Sequence, residues 1–259
     1  MRTAFGAHLS ASFAIAALAG SLILPSPAIA ADPAARPAAG GPAVPGAPQM
    51  PARARADFAA EIPSTDARRV ADWVVGSGNN ENLPFAIVDK SNARLFLFDA
   101  NGALRGAAPV LLGLARGDDN PPGIGERPLA QIRPAERITP AGRFVAGLGL
   151  NLAGQDILWV DYAAAISLHR ATDVKPGLTA SGRLARLASA TTGDNRVSHG
   201  CINVTPAFFE GMIRPAFSGT GGIVYVLPET RPIRAEFPIP ADRVAGLSGA
   251  QAAGISGSM

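Results

Sequence analysis

The chain has 259 residues, 47% of them hydrophobic, with 23 basic and 20 acidic side chains and a formal charge of +3. That is enough for one domain of ordinary size with a real core, and too little for two large ones. The small positive excess is spread along the chain and is nearly all arginine, Lys90 and Lys175 being the only lysines. This argues against nucleic-acid binding, which needs clustered basic residues. A pI near 9.6 suits work beside an anionic wall or membrane.

Residues 1–30 have the layout of a secretory signal peptide. Arg2 is followed by an apolar run from Ala11 to Leu24, then Pro25 and Pro27, then the small-x-small pattern Ala28-Ile29-Ala30. The run is about fourteen residues, short of the roughly twenty that span a bilayer. An uncleaved anchor is the alternative. Export to the periplasm or cell wall and a soluble mature chain are expected. Residues 31–57 are almost wholly Ala, Pro, Gly and Arg and read as a semi-extended linker. Residues 58–80 carry a lead-in helix, capped by Ser64 or Thr65, striped by Val70, Trp73 and Val74, and ended by Gly76.

From 81 to 229 the pattern is β-rich. Phe85–Asp89 and Arg94–Phe98 are strands, and the turn Asp99-Ala100-Asn101-Gly102 leads to a third over 108–114. Further strands are predicted over 144–149, 156–162 and 164–169, with a helix over 178–190 and a short one around Phe208, Met212 and Ile213. Gly222–Leu227 reads as a closing strand, and 230–259 as a C-terminal tail, frayed from Ser248. Many short strands and few helices predict a mostly β fold, a β-sandwich or partly open barrel with a few short helices.

The chemistry concentrates at Ser198-His199-Gly200-Cys201-Ile202-Asn203, which holds the chain's single cysteine. A lone thiol in an exported protein has no internal disulfide partner, so a nucleophile is the leading reading and an inert core cysteine the bland one. A thiol needs a base, because at neutral pH only a few per cent is thiolate. Two histidines follow the signal. His199 would share a face with Cys201 if that segment were extended, and His169 ends the strand candidate Ala165–His169. Gly200 permits close backbone approach and leaves nearby amides for an oxyanion. Cysteine and two histidines could instead ligate zinc, but no acidic general base has an evident place beside them.

The hexapeptide resembles the Ser/Thr-His-Gly-Cys-apolar-Asn signature of the L,D-transpeptidases, the YkuD-like cysteine enzymes of bacterial peptidoglycan. Ile87-Val88-Asp89-Lys90 with Arg94–Leu97 is similar to that family's opening hairpin, Thr139-Pro140-Ala141-Gly142-Arg143-Phe144 to its Thr-Pro-x-Gly segment, and Val224-Tyr225-Val226 to its closing strand. The resemblance spans roughly residues 84–228. It implies Cys201 as nucleophile, His169 as base, amides of Gly200 and Cys201 as oxyanion donors, Ser198 and His199 as supports, and Asn203 as anchor of the turn. Two departures stand out: Arg170 follows the upstream histidine, and the gap from His169 to Ser198 is long. The implied substrates are peptidoglycan tetrapeptide stems, as donor and acceptor, with a wall lipoprotein lysine as a further acceptor and no cofactor or metal. Arg183, Arg186 and Arg196 are candidate contacts to the anionic stem, or else solvated charges. Alternatives to the transpeptidase are an L,D-carboxypeptidase or endopeptidase using the same thiol, and a non-catalytic wall-binding protein.

Overall fold

A computed structural model describes residues 55–172 and 182–240. The signal peptide, most of the linker, the first part of the 178–190 helix and the end of the tail lie outside the described residues. Helix α1 (Thr65–Ser77) starts where Ser64 Oγ accepts from the Ala67 amide, and it ends at Gly78, whose φ of 68° is left-handed. Gly76, the expected terminator, is still helical. Gly78 can take the αL conformation, and its amide closes the last turn onto Val74 and Val75. Among the described residues no helix is long and apolar enough to cross a membrane.

Ten strands follow among the described residues: β1 (Phe85–Asp89), β2 (Arg94–Phe98), β3 (Leu104–Pro109), β4 (Leu112–Gly113), β5 (Gly142–Leu150), β6 (Asp156–Asp161), β7 (Ile166–Arg170), β8 (Arg196–Ser198), β9 (Ile202–Val204) and β10 (Gly222–Val226). Eight form one sheet in the order β3-β2-β1-β10-β5-β6-β7-β9, and β4 pairs with β8. Leu111 and Asn203 exchange both backbone hydrogen bonds at 2.9 Å, which joins β9 to the chain just past β3 and nearly closes the sheet. The mostly β, nearly closed architecture with a few short helices is the one expected.

Two local expectations change. The strand over 108–114 is two pieces, because Val110 and Leu111 turn away to bond Ala93 and Asn203. The closing strand, β10, lies in the middle of the sheet, parallel to β1 and antiparallel to β5. A continuous apolar run such as Gly222–Leu227 marks a strand covered on both faces, and only a central position provides that cover.

Period-two alternation explains the cover. Ala86 and Val88, Leu95 and Leu97, Val224 and Val226 point inward, with Leu158, Leu168, Ile202 and Val204, onto Phe209, Ile213 and Phe217. Those aromatic and aliphatic residues come from the helical run of α3 (Pro206–Phe208), a π turn (Phe209–Ile213) and α4 (Arg214–Phe217). The wide turn precedes Pro215, which has no amide to give to a regular α-helix. The alternate residues Phe85, Ile87, Phe96, Phe98, Ile223 and Tyr225 point outward under α1, Phe58, Ile233 and Phe237. Residues 230–239 are therefore packed structure and not a tail.

α1 covers only half of that outer face. The register runs from Tyr225 to Arg143, from Gly147 to Trp159, from Trp159 to Ser167, and from His169 to Asn203. On the β5–β7 side the same face carries Ser167 and His169.

Candidate active site

The parallel pair β7–β9 places His169 opposite Asn203, and Cys201 enters β9 immediately after a bend at His199-Gly200. Gly200 sits at φ 131°, and a Cβ there would lie 2.7 Å from both Ile138 O and Ile166 Cδ1. The position therefore demands glycine twice over, by conformation and by space. Gly200→Ala is expected to cost about 1–3 kcal/mol of stability and to displace the thiol. Thermal melts of the variant beside the parent, with the rate of Cys201 alkylation, check both effects.

The bend also settles which histidine meets the thiol. His199 and Cys201 do not lie on an extended segment, so the shared face expected for them does not form. His169 is the histidine that acts on the half-buried Cys201 thiol. Ser167 Oγ donates to Sγ at 3.6 Å, and Sγ reaches Ala165 O at 3.7 Å. Burial pushes the Cys201 thiol up; the hydrogen bond and charge of His169, with the amide and hydroxyl of Ser167, more than offset it, and the net shift is downward. Burial together with the charges of Arg137 and Arg183 pushes the His199 imidazole down, toward its neutral form.

Around the thiol the chain is braced by side chains. Ser198 Oγ donates to Cys201 O at 2.6 Å and accepts from the Gly200 amide at 3.0 Å. Ser198 thus braces the bend at Cys201, and it engages the Gly200 amide, which was one of the two predicted oxyanion donors. The Cys201 amide is the donor left from that pair. Thr139, fully buried, accepts from the Gly113 amide and donates to Gly200 O at 2.8 Å, so it ties the Thr-Pro segment to the bend before Cys201.

His169 has both ring nitrogens engaged. Nδ1 lies 2.9 Å from Arg170 O, and Nε2 lies 2.9 Å from Asn203 Nδ2. The His169 ring is oriented through the backbone carbonyl of Arg170, so the side chain at 170 is free for other work. It binds Asp156 and Glu210, and its guanidinium carbon sits 4.1 Å from the Phe209 ring centre. Asn203 is fully buried between His169 and Arg183, whose Nη1 donates to Asn203 Oδ1 at 2.8 Å. Fully buried, it has no surface to offer a substrate directly, and its place is behind His169.

The arginines divide. Arg183, on α2 (Arg183–Ala188), reaches the site through Asn203. Arg186 donates to Asp194 O at 2.6 Å and ties the loop. Arg196 is neither a stem contact nor a solvated charge. It pairs with Glu229 and donates to Lys90 O at 3.0 Å, within a buried ionic cluster. Lys90 and Glu229 have side chains 0% exposed and Asp118 1%, and the Lys90 ammonium reaches Asp118 Oδ1 at 2.8 Å and Thr139 O at 2.9 Å. Such charges need one another, and Arg196 is drawn inward to balance two carboxylates against one lysine.

Sequence reasoning missed Ser167, Thr139 and this cluster. Ser167 was findable, since it lies two residues before His169 on one strand face. The cluster was not, because Lys90, Asp118 and Glu229 are separated by loops with no shared pattern. Among the described residues no group of three or more His, Cys, Asp or Glu side chains could hold a metal ion.

No family model matches the chain, and no curated protein matches it. Solved structures similar to it include a cysteine-to-serine mutant of the L,D-transpeptidase of Enterococcus faecium, at 18% identity over 56% of this chain and 49% of that one, with a TM-score of 0.30. The helical cell shape determining protein Pgp2 of Campylobacter jejuni, as a lysine-to-alanine mutant, matches at 13% identity over 66% of this chain and 58% of its own, with a TM-score of 0.36. An L,D-transpeptidase from Mycobacterium smegmatis matches at 16% identity over 55% and 58%, with a TM-score of 0.29. The chain thus spans between 49% and 58% of the length of these structures.

Proposed function

We propose that this chain is an exported cysteine acyltransferase that acts on peptidoglycan stem peptides. The observation that carries the reading is the thiol of Cys201 held by His169 and Ser167, with its pKa drawn down against the effect of burial. The hexapeptide around that thiol supports the choice of substrate.

In this reading His169 takes the Cys201 proton and the thiolate attacks the carbonyl at the L-centre of diaminopimelate, the third residue of a tetrapeptide stem. The tetrahedral oxyanion is met by the Cys201 amide. Collapse breaks the peptide bond, His169 returns the proton to the departing amine, and D-alanine leaves. An amine on a neighbouring stem, or on a lipoprotein lysine, then attacks the thioester, giving a 3→3 cross-link or an anchored protein and restoring the thiol. The leader-like sequence of residues 1–30 supports a location in the periplasm or cell wall, where such stems are found.

Mass spectrometry of products from the mature protein and purified disaccharide-tetrapeptide tests this. A cross-linked dimer that has lost one D-alanine is expected. Tripeptide alone would move the assignment to an L,D-carboxypeptidase. Absence of any product from the mature protein would sink the reading for this substrate.

A further inference from the structure

Gly147 lies inside strand β5, at the point where the strand passes from β10 on one edge to β6 on the other. A glycine weakens a strand interior, and it recurs there at bulges, at bends and where a ligand comes close to the backbone. The register against β6 runs unbroken from Gly147 to Leu150, so there is no bulge. The passage does not itself require glycine, because the φ of Gly147 is not left-handed. Among the described residues no atom lies within 4 Å of where its Cβ would be. Conformation and space would both accept a side chain. What remains is a ligand.

The open space over Gly147 shares one row of the sheet with the thiol. Gly147 stands opposite Trp159, Trp159 opposite Ser167, and Ser167 Oγ meets Cys201 Sγ at 3.6 Å. Ala146 and Leu148 point into the core, as do Leu158 and Leu168, so this row lies on the outer face that α1 leaves uncovered. The Trp159 indole leans across to β5, its Cδ1 and Nε1 only 2.8 and 3.0 Å from where a Gly149 Cβ would be. Tyr162, 79% exposed, packs edge-on against it with ring centres 5.0 Å apart. Val145, 70% exposed, stands on the other side of Gly147 along the strand. An aromatic pair thus walls a bare patch of sheet beside the site.

Length selects the occupant. Neighbouring strands lie about 4.8 Å apart, which puts Gly147, three strands from Cys201, roughly 14 Å away. In a donor stem three residues separate the attacked carbonyl from the sugar, and extended they span about 10 Å. We propose that Trp159 and Gly147 hold the sugar that carries the donor stem, and so favour the sugar-bearing stem over the bare peptide. The peptide ends near Trp159, and the sugar lies over Gly147. A pyranose ring has an apolar face of C–H bonds, which suits the negative face of an indole. A side chain at 147 would stand in its place. Both are specificity-determining residues, and the inference rests on Cys201 being the nucleophile and a peptidoglycan stem its substrate.

The test compares disaccharide-tetrapeptide with free tetrapeptide as donors for the mature protein, by kcat/KM for D-alanine release. The parent should prefer the sugar-bearing donor roughly tenfold, the scale of one aromatic contact. Gly147→Val and Trp159→Leu should each lose most of that preference, chiefly through KM. Gly147→Val should melt at or above the parent temperature, because valine suits a strand and meets open space. That separates a blocked subsite from a damaged fold. A parent that treats the two donors alike would overturn the proposal and leave acyl transfer standing. So would variants that keep the preference, or that lose equally on both donors, which would put peptide and not sugar over β5. No D-alanine release from either donor would overturn the reading of the site itself, and the sugar contact with it.

Discussion

Cys201→Ala is expected to abolish acyl transfer, lowering turnover of disaccharide-tetrapeptide by roughly 10⁴-fold or more, while leaving the fold intact. Removing a covalent nucleophile takes away the reaction's first bond, and no neighbouring group can replace it. The side chain is half-buried and small, so truncation leaves little cavity, and the melting temperature should stay close to that of the parent. His169→Ala should fall nearly as far in turnover, because the two residues act as a unit and their losses do not add. His199→Ala tests the alternative base. His169, and not His199, draws the thiol pKa down, so this variant should retain far more activity than His169→Ala. Equal losses at the two histidines would contradict the assignment. Steady-state turnover with circular dichroism melts on the same preparations separates chemistry from folding.

The largest effect on stability is expected at Lys90. Its ammonium makes three hydrogen bonds in a fully buried place: to Gly117 O at 2.5 Å, Asp118 Oδ1 at 2.8 Å and Thr139 O at 2.9 Å. Lys90→Met should cost about 3–5 kcal/mol, because it leaves a carboxylate buried without its cation. At the usual scaling for a domain of this size, that lowers the melting temperature on the order of 10 °C. Burial pushes the Lys90 ammonium down in spite of Asp118 and Glu229, so the desolvation cost of this charge is itself large. The double variant Lys90→Met/Asp118→Asn should accordingly regain a good part of the loss. Activity should also drop in Lys90→Met, since the Thr139 carbonyl it anchors belongs to the residue whose hydroxyl holds Gly200 O.

The same cluster fixes the sign of the acid response. Burial alone would raise the Asp118 carboxyl, but hydrogen bonds from Lys90, the Thr230 hydroxyl and the amides of Glu229 and Thr230 hold it well below the usual carboxylate range. With the folded value depressed, the unfolded chain binds the proton more readily. The contribution of Asp118 is therefore complete above its ordinary pKa of about 4 and is lost as pH falls below it. Chemical denaturation of the parent between pH 5 and pH 2 should show this fall. Lys90→Met, which lacks one of the groups holding the proton off, should show a shallower one.

How much of this was legible in the sequence depends on the range over which each feature is decided. Phe85–Asp89 and Arg94–Phe98 are strands at the predicted bounds, because alternation and a four-residue turn are local. The mostly β class and the helix capped at Ser64 are local in the same sense. Residue type and a spacing of a few positions carry them. The site's supports were less visible. Ser167 could have been found from its place two residues before His169, whereas the ties from Thr139 to Gly200 O and from Asn195 to Val110 O span 61 and 85 residues.

Only the tertiary structure decided which strand is central, which amide Ser198 engages, and what each arginine does. Gly222–Val226 looks the same as a closing strand or a central one until its partners β1 and β5 are known. Arg183, Arg186 and Arg196 share one chemistry, yet one holds Asn203, one ties a loop carbonyl and one is drawn into a buried ionic cluster. The physical reason is common to these cases. Periodicity specifies which face a side chain takes, but a hydrogen bond or ion pair is specified by the group that arrives opposite. That group comes from elsewhere in the chain.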